Sequence, residues 1–584
     1  MKRFIIVIAL LTIGAMFVVQ SQQESPLYAL PNANVRAYVS NTLALSDDGR
    51  TLVATNMLSN SMSIIAITDG QVLAEIPVEL DPRSIALTPD NSRAIVSNRM
   101  SGTISIVDVI EQAVIASYPV GLLPYAVIAP TDTTAFVSLQ GENAVVEVDL
   151  ITGTILRYIE TPASPSGLAL WGDFLYVTHL WTGDVSLIYL PQSQVVRTVA
   201  LGQDTGLSQS LVLDRTRGLA YLPQTHFNAQ NTALTYDSLV FPVVNVLDLR
   251  DLGLQNDSRV TLSTADRPVN MPFVAQVDTV RNWLFVANAG SDDISVIELN
   301  TGVLLGHIEV GANPRGLLLS LNGGLLYAHN AIDGTVSIIE TRGLVVNDVL
   351  PITNITIPVD LLIGAELFHT STDDRLGTNN WISCATCHFD GQSDGRNWTG
   401  LADGTRNTPV LYDLFNTAPF TWAGVWDELA DVELKVRELQ AGIGLIDEDV
   451  YQSTGETHAG VSFDLDSLTA YLLTLAPPPQ SPNVDEQNLI TQGIDLFETL
   501  ECSGCHAGDV YTDNASYDVG TGGEFNTPSL RWLWQSAPYL HDGRAETLND
   551  VFTLAGAHQL IGDYSLAEID TLVAYLLTLP NTNN

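Results

Sequence analysis

Residues 384–388 read CATCH, and residues 502–506 repeat the pattern as CSGCH. In such a pentapeptide the two thiols reach both vinyl groups of one haem, and the adjoining histidine lies under the ring as the proximal iron ligand. The two motifs therefore predict two covalently attached haem c groups. The candidate attachment residues are Cys384, Cys387, His388, Cys502, Cys505 and His506.

Zinc binding or a disulfide is the alternative use of paired cysteines. A structural zinc site usually pools four ligands from two such pairs, whereas each pair here has a histidine of its own. The chain contains four cysteines, and all four lie in the two motifs. None is left for a structural disulfide elsewhere, so the sequence favours haem attachment.

The chain is long and strongly acidic. Its 584 residues correspond to about three to four domains by length. A hydrophobic content of 46% is enough for packed cores. The net charge is 24 − 66 = −42, which argues against nucleic acid as a ligand and favours basic partners or simply solubility.

The N-terminal segment, residues 1–22, has the character of an export signal. Residues 1–3 carry two positive charges, and the apolar run that follows, residues 4–19, is short for a membrane span. No Ala-x-Ala cleavage site follows it, so a cleaved signal peptide and an uncleaved N-terminal anchor both remain open. Either one predicts an exported protein, periplasmic or extracellular, in agreement with haem c attachment.

A unit of about forty residues, a length typical of propeller blades, recurs seven times across residues 35–350. Each unit opens with a short apolar strand and a turn, as in LALSDDGR from Leu43, and continues with alternating strands. This alternation predicts a ring of four-stranded blades. Residues 224–238 interrupt the fifth unit, as either a surface loop or a contact element.

The VSN, VTH and VAN turns of these units, followed by strands such as Ser-Ile-Val-Asp, resemble the YVTN-type seven-bladed propeller. The resemblance covers nearly all of residues 35–350. It implies a binding or scaffolding module, and no catalytic cluster is evident in the repeats. The sequence does not indicate what the propeller binds.

The pattern becomes helical after the propeller, and one unit occurs twice. Residues 407–409 match residues 526–528, and the helix-closing AYLLTL recurs at Ala470 and Ala574. We therefore predict a multidomain chain in which an all-β propeller precedes two mainly α, class I-like cytochrome c modules. The predicted boundaries are 35–350 for the propeller, 359–476 and 488–580 for the modules, and 477–487 for a Pro-rich linker.

The second axial ligand decides whether a haem iron carries electrons or reacts with peroxide. The last methionine is Met271, so neither module supplies one. A gap-free alignment of the modules gives His558 to the second haem and leaves the first haem open. An alignment on AYLLTL instead brings His458 to the first haem and closes both. For His541 we expect a hydrogen bond to a propionate or to the backbone.

Residues 361–580 resemble the di-haem bacterial cytochrome c peroxidase family, which includes the enzyme that matures the quinone of methylamine dehydrogenase. The resemblance is carried by residues 406–409, 419–422, 527–531 and 537–544 around the two motifs. It implies that hydrogen peroxide reacts at the first haem and that the second haem relays electrons. It also implies a tryptophan between the haems and a bound calcium ion.

The resemblance assigns further site residues by position. Trp422 matches the inter-haem tryptophan, and the positions that match the calcium site are Asn407, Ser536 and Pro538.

The chain also departs from the family. The family's second-haem ligand, a methionine or tyrosine, falls on Ala555, so His558 is the candidate substitute. Residues 401–405 lack the distal histidine that blocks the first haem in many oxidised peroxidases, and the acid/base glutamate has no clear match. Glu438 is the candidate for this role, with Glu433 as the other nearby carboxylate.

Taken together, the sequence predicts an exported, peroxidase-like di-haem oxidoreductase that receives electrons from a small redox protein or another donor. One alternative is an electron-transfer or binding protein with two six-coordinate haems and no turnover. Another is a di-haem oxidase that modifies a partner protein.

Overall fold

The computed structural model describes residues 29–580, except for residues 203, 234, 236, 256–257, 263–266, 402, 449, 452–455, 479–486, 555 and 561. The predicted signal or anchor, most of the predicted linker and Ala555 therefore lie outside the described residues. In the part that is described, no helix has the length and apolar character needed to cross a membrane.

The N-terminal part is a ring of seven antiparallel sheets, which confirms the predicted seven-bladed propeller. Blade one is β2–β5: Leu43–Leu45, Thr51–Asn56, Ser61–Ala66 and Gln71–Pro77. Blade two is β6–β9: Pro82–Leu87, Arg93–Asn98, Thr103–Asp108 and Ala113–Pro119. Blade three is β10–β13: Pro124–Ile128, Thr134–Leu139, Ala144–Asp149 and Ile155–Glu160. Blade four is β14–β17: Pro165–Trp171, Phe174–His179, Val185–Tyr189 and Gln194–Val199. The N-terminal strand β1, Ala37–Val39, joins blade four by pairing with β14.

The last three blades complete the ring. Blade five is β18–β23: Thr205–Gly206, Val212–Asp214, Leu219–Phe227, Val240–Asp248, Gly253–Leu254 and Val260–Thr261. Blade six is β24–β27: Pro272–Asp278, Trp283–Asn288, Asp293–Glu298 and Val303–Glu309. Blade seven is β28–β31: Pro314–Leu319, Leu325–Asn330, Thr335–Glu340 and Val345–Pro351. The ring is closed between blades seven and one, where the side-chain amide of Asn41 donates to the Leu317 carbonyl at 2.8 Å.

The C-terminal part contains few helices, and loops connect most of them. In the first half these are α1 to α4, Val359–His369, Cys384–Cys387, Val432–Glu438 and Phe463–Leu472. In the second half they are α5 to α7, Gln487–Thr499, Leu548–Val551 and Leu566–Leu576. Each half also contains one short hairpin. The first is β32–β33, Asn397–Trp398 with Arg406–Asn407, and the second is β34–β35, Ser516–Asp518 with Glu524–Asn526.

Each half is built on one helix pair, α1 with α4 and α5 with α7. The pairs pack closely because a glycine lies at the same place in each. A Cβ atom added to Gly364 would lie 2.1 Å from the carbonyl oxygen of Ser467, and one added to Gly493 would lie 2.1 Å from that of Thr571. The duplicated sequence therefore produces a duplicated helix contact.

The propeller and the first C-terminal half share one hydrophobic core. Phe227, Phe273 and Phe285 of the propeller belong to the same cluster as Phe368 and Phe389 of the first half. The second half has its own core, which contains Ile490, Phe497, Leu572 and Leu579. The first half is thus built onto the propeller.

The close helix contacts give a first prediction. Replacing Gly364 or Gly493 by alanine forces a Cβ into a backbone carbonyl, and overpacking of this kind costs about 1–3 kcal/mol or more. We expect each variant to unfold at a lower temperature than the parent protein. Gly306→Ala, where no atom lies within 4 Å of the added Cβ, is the matched control. Equal melting temperatures for all three variants would contradict the close packing.

Candidate haem sites and their contact with the propeller

The two cysteines of the first Cys-x-x-Cys-His motif lie on α2, and His388 directly follows this helix. Because side chains three apart share a helix face, Cys384 and Cys387 point to one side. The cysteines are free thiols. All three side chains are partly exposed, although burial still lowers the pKa of His388 to about 4. A neutral imidazole that directly follows two free, partly exposed thiols fits covalent haem attachment.

The opposite face of α2 packs against the propeller. Ala385 and Thr386 are fully buried there. The side-chain amide of Asn270 donates to the Thr386 hydroxyl at 3.2 Å and to the Trp381 carbonyl at 3.0 Å. Met271 lies on this side, with its sulfur 3.6 Å from the Ser383 hydroxyl. Met271 therefore contacts the N-terminal end of the attachment helix from the propeller.

The segment that follows His388 reaches the central channel of the propeller. There the Asp390 carboxylate lies 3.0 Å from Arg83 Nη1, 4.0 Å from Arg99 Nε and 4.0 Å from Arg315 Nη1. All four side chains are at most 8% exposed. Burial alone would raise the pKa of Asp390, but the arginines, Arg83 foremost, lower it to about 2. Asp390 is therefore an ionised carboxylate that is buried among arginines of blades two and seven.

Further contacts hold the same two parts together. Arg396 lies over the Phe227 ring at 4.0 Å and donates to the carbonyls of Trp181 and Thr205 at 3.2 and 3.1 Å. In blade five the Ala229 carbonyl accepts from the Thr399 backbone amide at 3.0 Å. The insertion in the fifth repeat is thus a contact element and not a free surface loop.

The second motif faces a histidine from further along the chain. The rings of His506 and His558 have their centres 6.4 Å apart. Two metal–nitrogen bonds of about 2 Å, each with about 1.1 Å from nitrogen to ring centre, add up to about 6.2 Å. His506 Nδ1 lies 3.3 Å from the Tyr511 carbonyl, and the tautomer that donates to it leaves Nε2 for a metal. Burial lowers the pKa of both rings, so the pair fits one iron between them.

The two halves meet through an exchange of equivalent contacts. The side-chain amide of Asn526 donates to the Pro419 carbonyl at 2.7 Å, and that of Asn407 donates to the Pro538 carbonyl. The Asn407 backbone amide donates to His541 and that of Asn526 to Trp422, at 2.7 and 2.9 Å. The junction therefore has approximate two-fold symmetry.

Trp422 and His541 occupy equivalent places in this junction. Their ring centres are 6.5 Å apart, and His541 stacks on Phe525 at 3.8 Å. His541 Nε2 lies 3.2 Å from the Thr521 carbonyl, so the expected backbone hydrogen bond of His541 is confirmed. The Trp422 indole donates to the Asn407 carbonyl at 3.0 Å. Trp422 therefore lies between the two halves.

Of the three residues matched to a calcium site, the structure brings two into contact. Asn407 and Pro538 meet at the junction. The Ser536 hydroxyl instead donates to the Trp532 carbonyl at 3.0 Å.

The two glutamates considered for proton transfer differ in environment. Glu438 is exposed at the end of α3. Glu433 is fully buried, and its carboxylate accepts from the backbone amides of Leu445 and Ile446 and pairs with Arg437 at 2.8 Å. The Glu433 carboxylate is thus held in place by the fold.

His458 lies in a buried pair that the sequence did not indicate. Its Nδ1 is 2.7 Å from Asp431 Oδ1, and its ring stacks on Tyr451 with centres 6.0 Å apart. Burial raises the pKa of Asp431, and His458 opposes that shift. Glu428 accepts from the backbone amide of Ala459 at 3.1 Å and fixes the same loop. The arrangement is a carboxylate–imidazole pair.

Comparison with known proteins agrees with these motifs. Residues 359–462 match the di-haem cytochrome c peroxidase family model. Residues 20–113 match the model described as lactonase, seven-bladed β-propeller. Both matches agree with the resemblances that the sequence carries, and the first supports an oxidoreductase.

Three curated relatives are peroxidases or methylamine utilization proteins. Cytochrome c peroxidase Ccp of Escherichia coli is 26% identical over 37% of this chain and 57% of its own length. Methylamine utilization protein MauG of Methylorubrum extorquens is 27% identical over 34% of this chain and 69% of its own. Cytochrome c551 peroxidase of Nitrosomonas europaea is 24% identical over 37% of this chain and 78% of its own length. The chain thus spans little more than half the length of the first of these relatives.

Sequence reasoning missed the arginine residues around Asp390. A signal was present, because the inner strands of blades two, three, six and seven begin with proline followed by a channel-lining residue: Arg83, Tyr125, Phe273 and Arg315. Two of these four are arginines, which predicts an anionic group in the channel.

A second carboxylate of the interface, Asp292, joins blades six and seven to the end of α1. It accepts from the Asn313 backbone amide at 2.7 Å and from the Thr370 hydroxyl at 3.3 Å. Burial, with smaller contributions from Asp333 and Glu366, raises its pKa to about 7.

The raised pKa of Asp292 predicts a pH-dependent stability. An aspartate in the unfolded chain has a pKa of about 3.9, so the folded protein binds this proton more tightly. The stability it contributes is present below about pH 4 and is lost as the pH rises through 7. We expect Asp292→Asn to gain free energy of unfolding relative to the parent protein between pH 5 and pH 8, measured by denaturant titration. The exposed Asp348→Asn should show no such trend, and a flat difference for Asp292→Asn would contradict the assignment.

Proposed function

We propose that this protein is an exported, periplasmic or extracellular di-haem c-type oxidoreductase that reduces hydrogen peroxide at the first haem with electrons relayed by the second. The observation that carries the proposal is the 6.4 Å separation of His506 and His558. It supports a closed, electron-carrying second haem with both histidines as ligands. The family match at residues 359–462 supports the peroxidase chemistry.

The first site is proposed as the reactive one. We propose His388 as its proximal ligand. His458, the other ligand candidate, pairs with Asp431 through Nδ1, and we assign it to proton transfer and not to iron ligation. When bound, an open haem supplies the iron position at which peroxide is cleaved. Each peroxide molecule consumes two electrons and two protons on its way to two water molecules.

The residues of the junction serve the electron route. Trp422 lies between the halves, within 6.5 Å of His541, and we propose it as the station between the two haems. We also propose a calcium ion at Asn407 and Pro538, with Ser536 nearby. The donor is a small redox protein or another reductant, and a basic protein fits the acidic chain.

Proton transfer needs a group of its own. We propose His458, positioned by Asp431, because a buried imidazole held by a carboxylate is suited to general acid–base work. Asp431 is the N-cap of α3, and just past the other end of this helix the Gln440 amide lies 3.7 Å from the Cys384 sulfur. The seven residues of α3 span about 10 Å. Glu438 remains the second candidate, with an exposed side chain.

The haem ligands are tested by mass and by spectroscopy. The mature chain should carry the mass of two haem groups. The ferric protein should show one high-spin and one low-spin haem, and His558→Ala should convert the low-spin haem to high spin. His458→Ala is the matched control and should leave the spin states unchanged. Two low-spin haems in the parent protein would favour the electron-transfer alternative.

The proton-transfer group is tested by turnover. Asp431→Asn should lower kcat for peroxide reduction by about 10²-fold or more, as expected when general acid–base catalysis is impaired. Glu438→Gln should leave kcat nearly unchanged. The reverse pattern would assign the role to Glu438. Both variants should keep the absorption spectrum of the parent protein, so that a loss of haem is not mistaken for a loss of catalysis.

A further inference from the structure

A small cavity of about 40 Å³ lies in the central channel of the propeller. All of its lining residues belong to the propeller. A cavity of this size holds about three water molecules, or one ligand of about three to four non-hydrogen atoms. The lining includes side chains from blades two, three, five, six and seven: Arg83, Tyr125, Gln209, Phe273, Arg315 and His329.

Arg315 has a donor that no protein group uses. Its Nε donates to Asn313 Oδ1 at 2.5 Å, and its Nη1 lies 3.6 Å from the Met57 sulfur. The Asp390 carboxylate is 4.0 Å from Nη1, which is too long for a hydrogen bond. Among the residues that the structure describes, Nη2 has no acceptor, although the side chain is only 4% exposed.

Gln209 and His329 contribute two more groups without partners. The Tyr125 hydroxyl donates to Gln209 Oε1 at 2.5 Å, so the Nε2 amide group is left as a donor. His329 Nδ1 lies 2.8 Å from the Thr42 hydroxyl, and when this hydroxyl donates to Nδ1, Nε2 carries the ring proton. In the described part of the chain both Nε2 atoms are buried without a partner. Buried donors are rarely left unused, so the three groups indicate a ligand or water in the cavity.

The charges around the cavity do not balance. Arg83, Arg99 and Arg315 face two carboxylates, Asp390 and Asp81. The sum is 3 − 2 = +1, and the least buried of these side chains is 16% exposed. Buried charges are normally paired. One monovalent anion would balance the cluster, whereas a doubly charged anion would reverse its sign.

The aromatic groups beside Arg315 do not supply this negative charge. The guanidinium carbon lies 5.5 Å from the ring centre of Phe273 and 5.0 Å from that of Phe389. Aromatic faces attract a cation, but they carry no net charge. The unused donors therefore still need oxygen acceptors, and a planar guanidinium is well matched to a carboxylate or a similar oxyanion.

We propose that the propeller channel binds one small monovalent oxyanion, of the carboxylate or nitrate class, through Arg315, Gln209 and His329. The volume limits the ligand to about four non-hydrogen atoms, which excludes phosphate esters and sugar acids. Formate, nitrate and hydrogencarbonate have the required size and charge. The site consists of propeller residues alone and does not depend on haem attachment or on peroxide reduction.

The test is isothermal titration calorimetry of the haem-loaded full chain at constant ionic strength. Sodium formate and sodium nitrate are the probes, and sodium sulfate, whose anion is doubly charged, is the comparison salt. We expect saturable binding at one propeller site for formate or nitrate, and none for sulfate. An absorption spectrum recorded at each addition separates this site from an iron, because an anion that binds to a haem changes the spectrum.

Two variants of the lining locate the site. Gln209→Glu has nearly the same shape, can still accept from the Tyr125 hydroxyl, and places a negative charge where the anion would lie. Arg315→Lys keeps the positive charge but removes Nη2. Each should weaken binding by about tenfold or more, as expected for the loss of a hydrogen bond to a charged group. Arg157→Gln, which breaks an ion pair with Glu147 in blade three, is the matched control and should bind as the parent protein does.

The outcomes decide between an anion and water. An absence of saturable binding in the parent protein would mean that the cavity holds water only, and it would overturn the proposal. Equal affinities of the parent protein and Gln209→Glu would place the anion elsewhere and overturn it too. The melting temperature of each variant without anion shows whether it is folded, and Gln209→Glu decides if Arg315→Lys is not. Because no turnover is measured, a failure of peroxide reduction would leave this result intact.

Discussion

Burial of the Asp390 carboxylate among three propeller arginines is the interaction on which the arrangement of the chain depends. An ion pair in the interior is costly to break, because removing one partner leaves the other charged and desolvated. The same contact seals a hydrophobic core that runs from the propeller into the first C-terminal half. Separating the two parts would expose both the charges and the apolar surface. The propeller is therefore a structural wall of the first haem site.

The duplicated half shows what this contact adds. Both halves share the glycine-mediated helix pair and exchange the same asparagine–proline contacts at the junction. Among the described residues, the first half inserts Asp390 into the propeller, whereas the residue that follows the second motif at the matching position is Gly508. The two candidate haem sites therefore differ in their contact with the propeller.

Local patterns predicted the parts of the molecule that local physics determines. The alternation of apolar and polar residues predicted the blades, and the spacing of Cys384 and Cys387 predicted that the two thiols share one helix face. A gap-free alignment of the halves also led to His558 as the partner of His506. The structure places the ring centres of these two histidines 6.4 Å apart. These features depend on residue spacing within one element or on a repeat that can be aligned.

Other features depend on contacts that no local pattern encodes. Asp390 and Arg83 are separated by about three hundred residues, and only the closure of the ring brings blades two and seven to the same carboxylate. The same holds for Asp431 and His458, which are 27 residues apart in the chain. The two motifs also differ in accessibility. The propeller covers the buried face of the first attachment helix, whereas Gly504 in the second motif is exposed. With haem bound at both motifs, as proposed, the second would be the more accessible to an external electron donor.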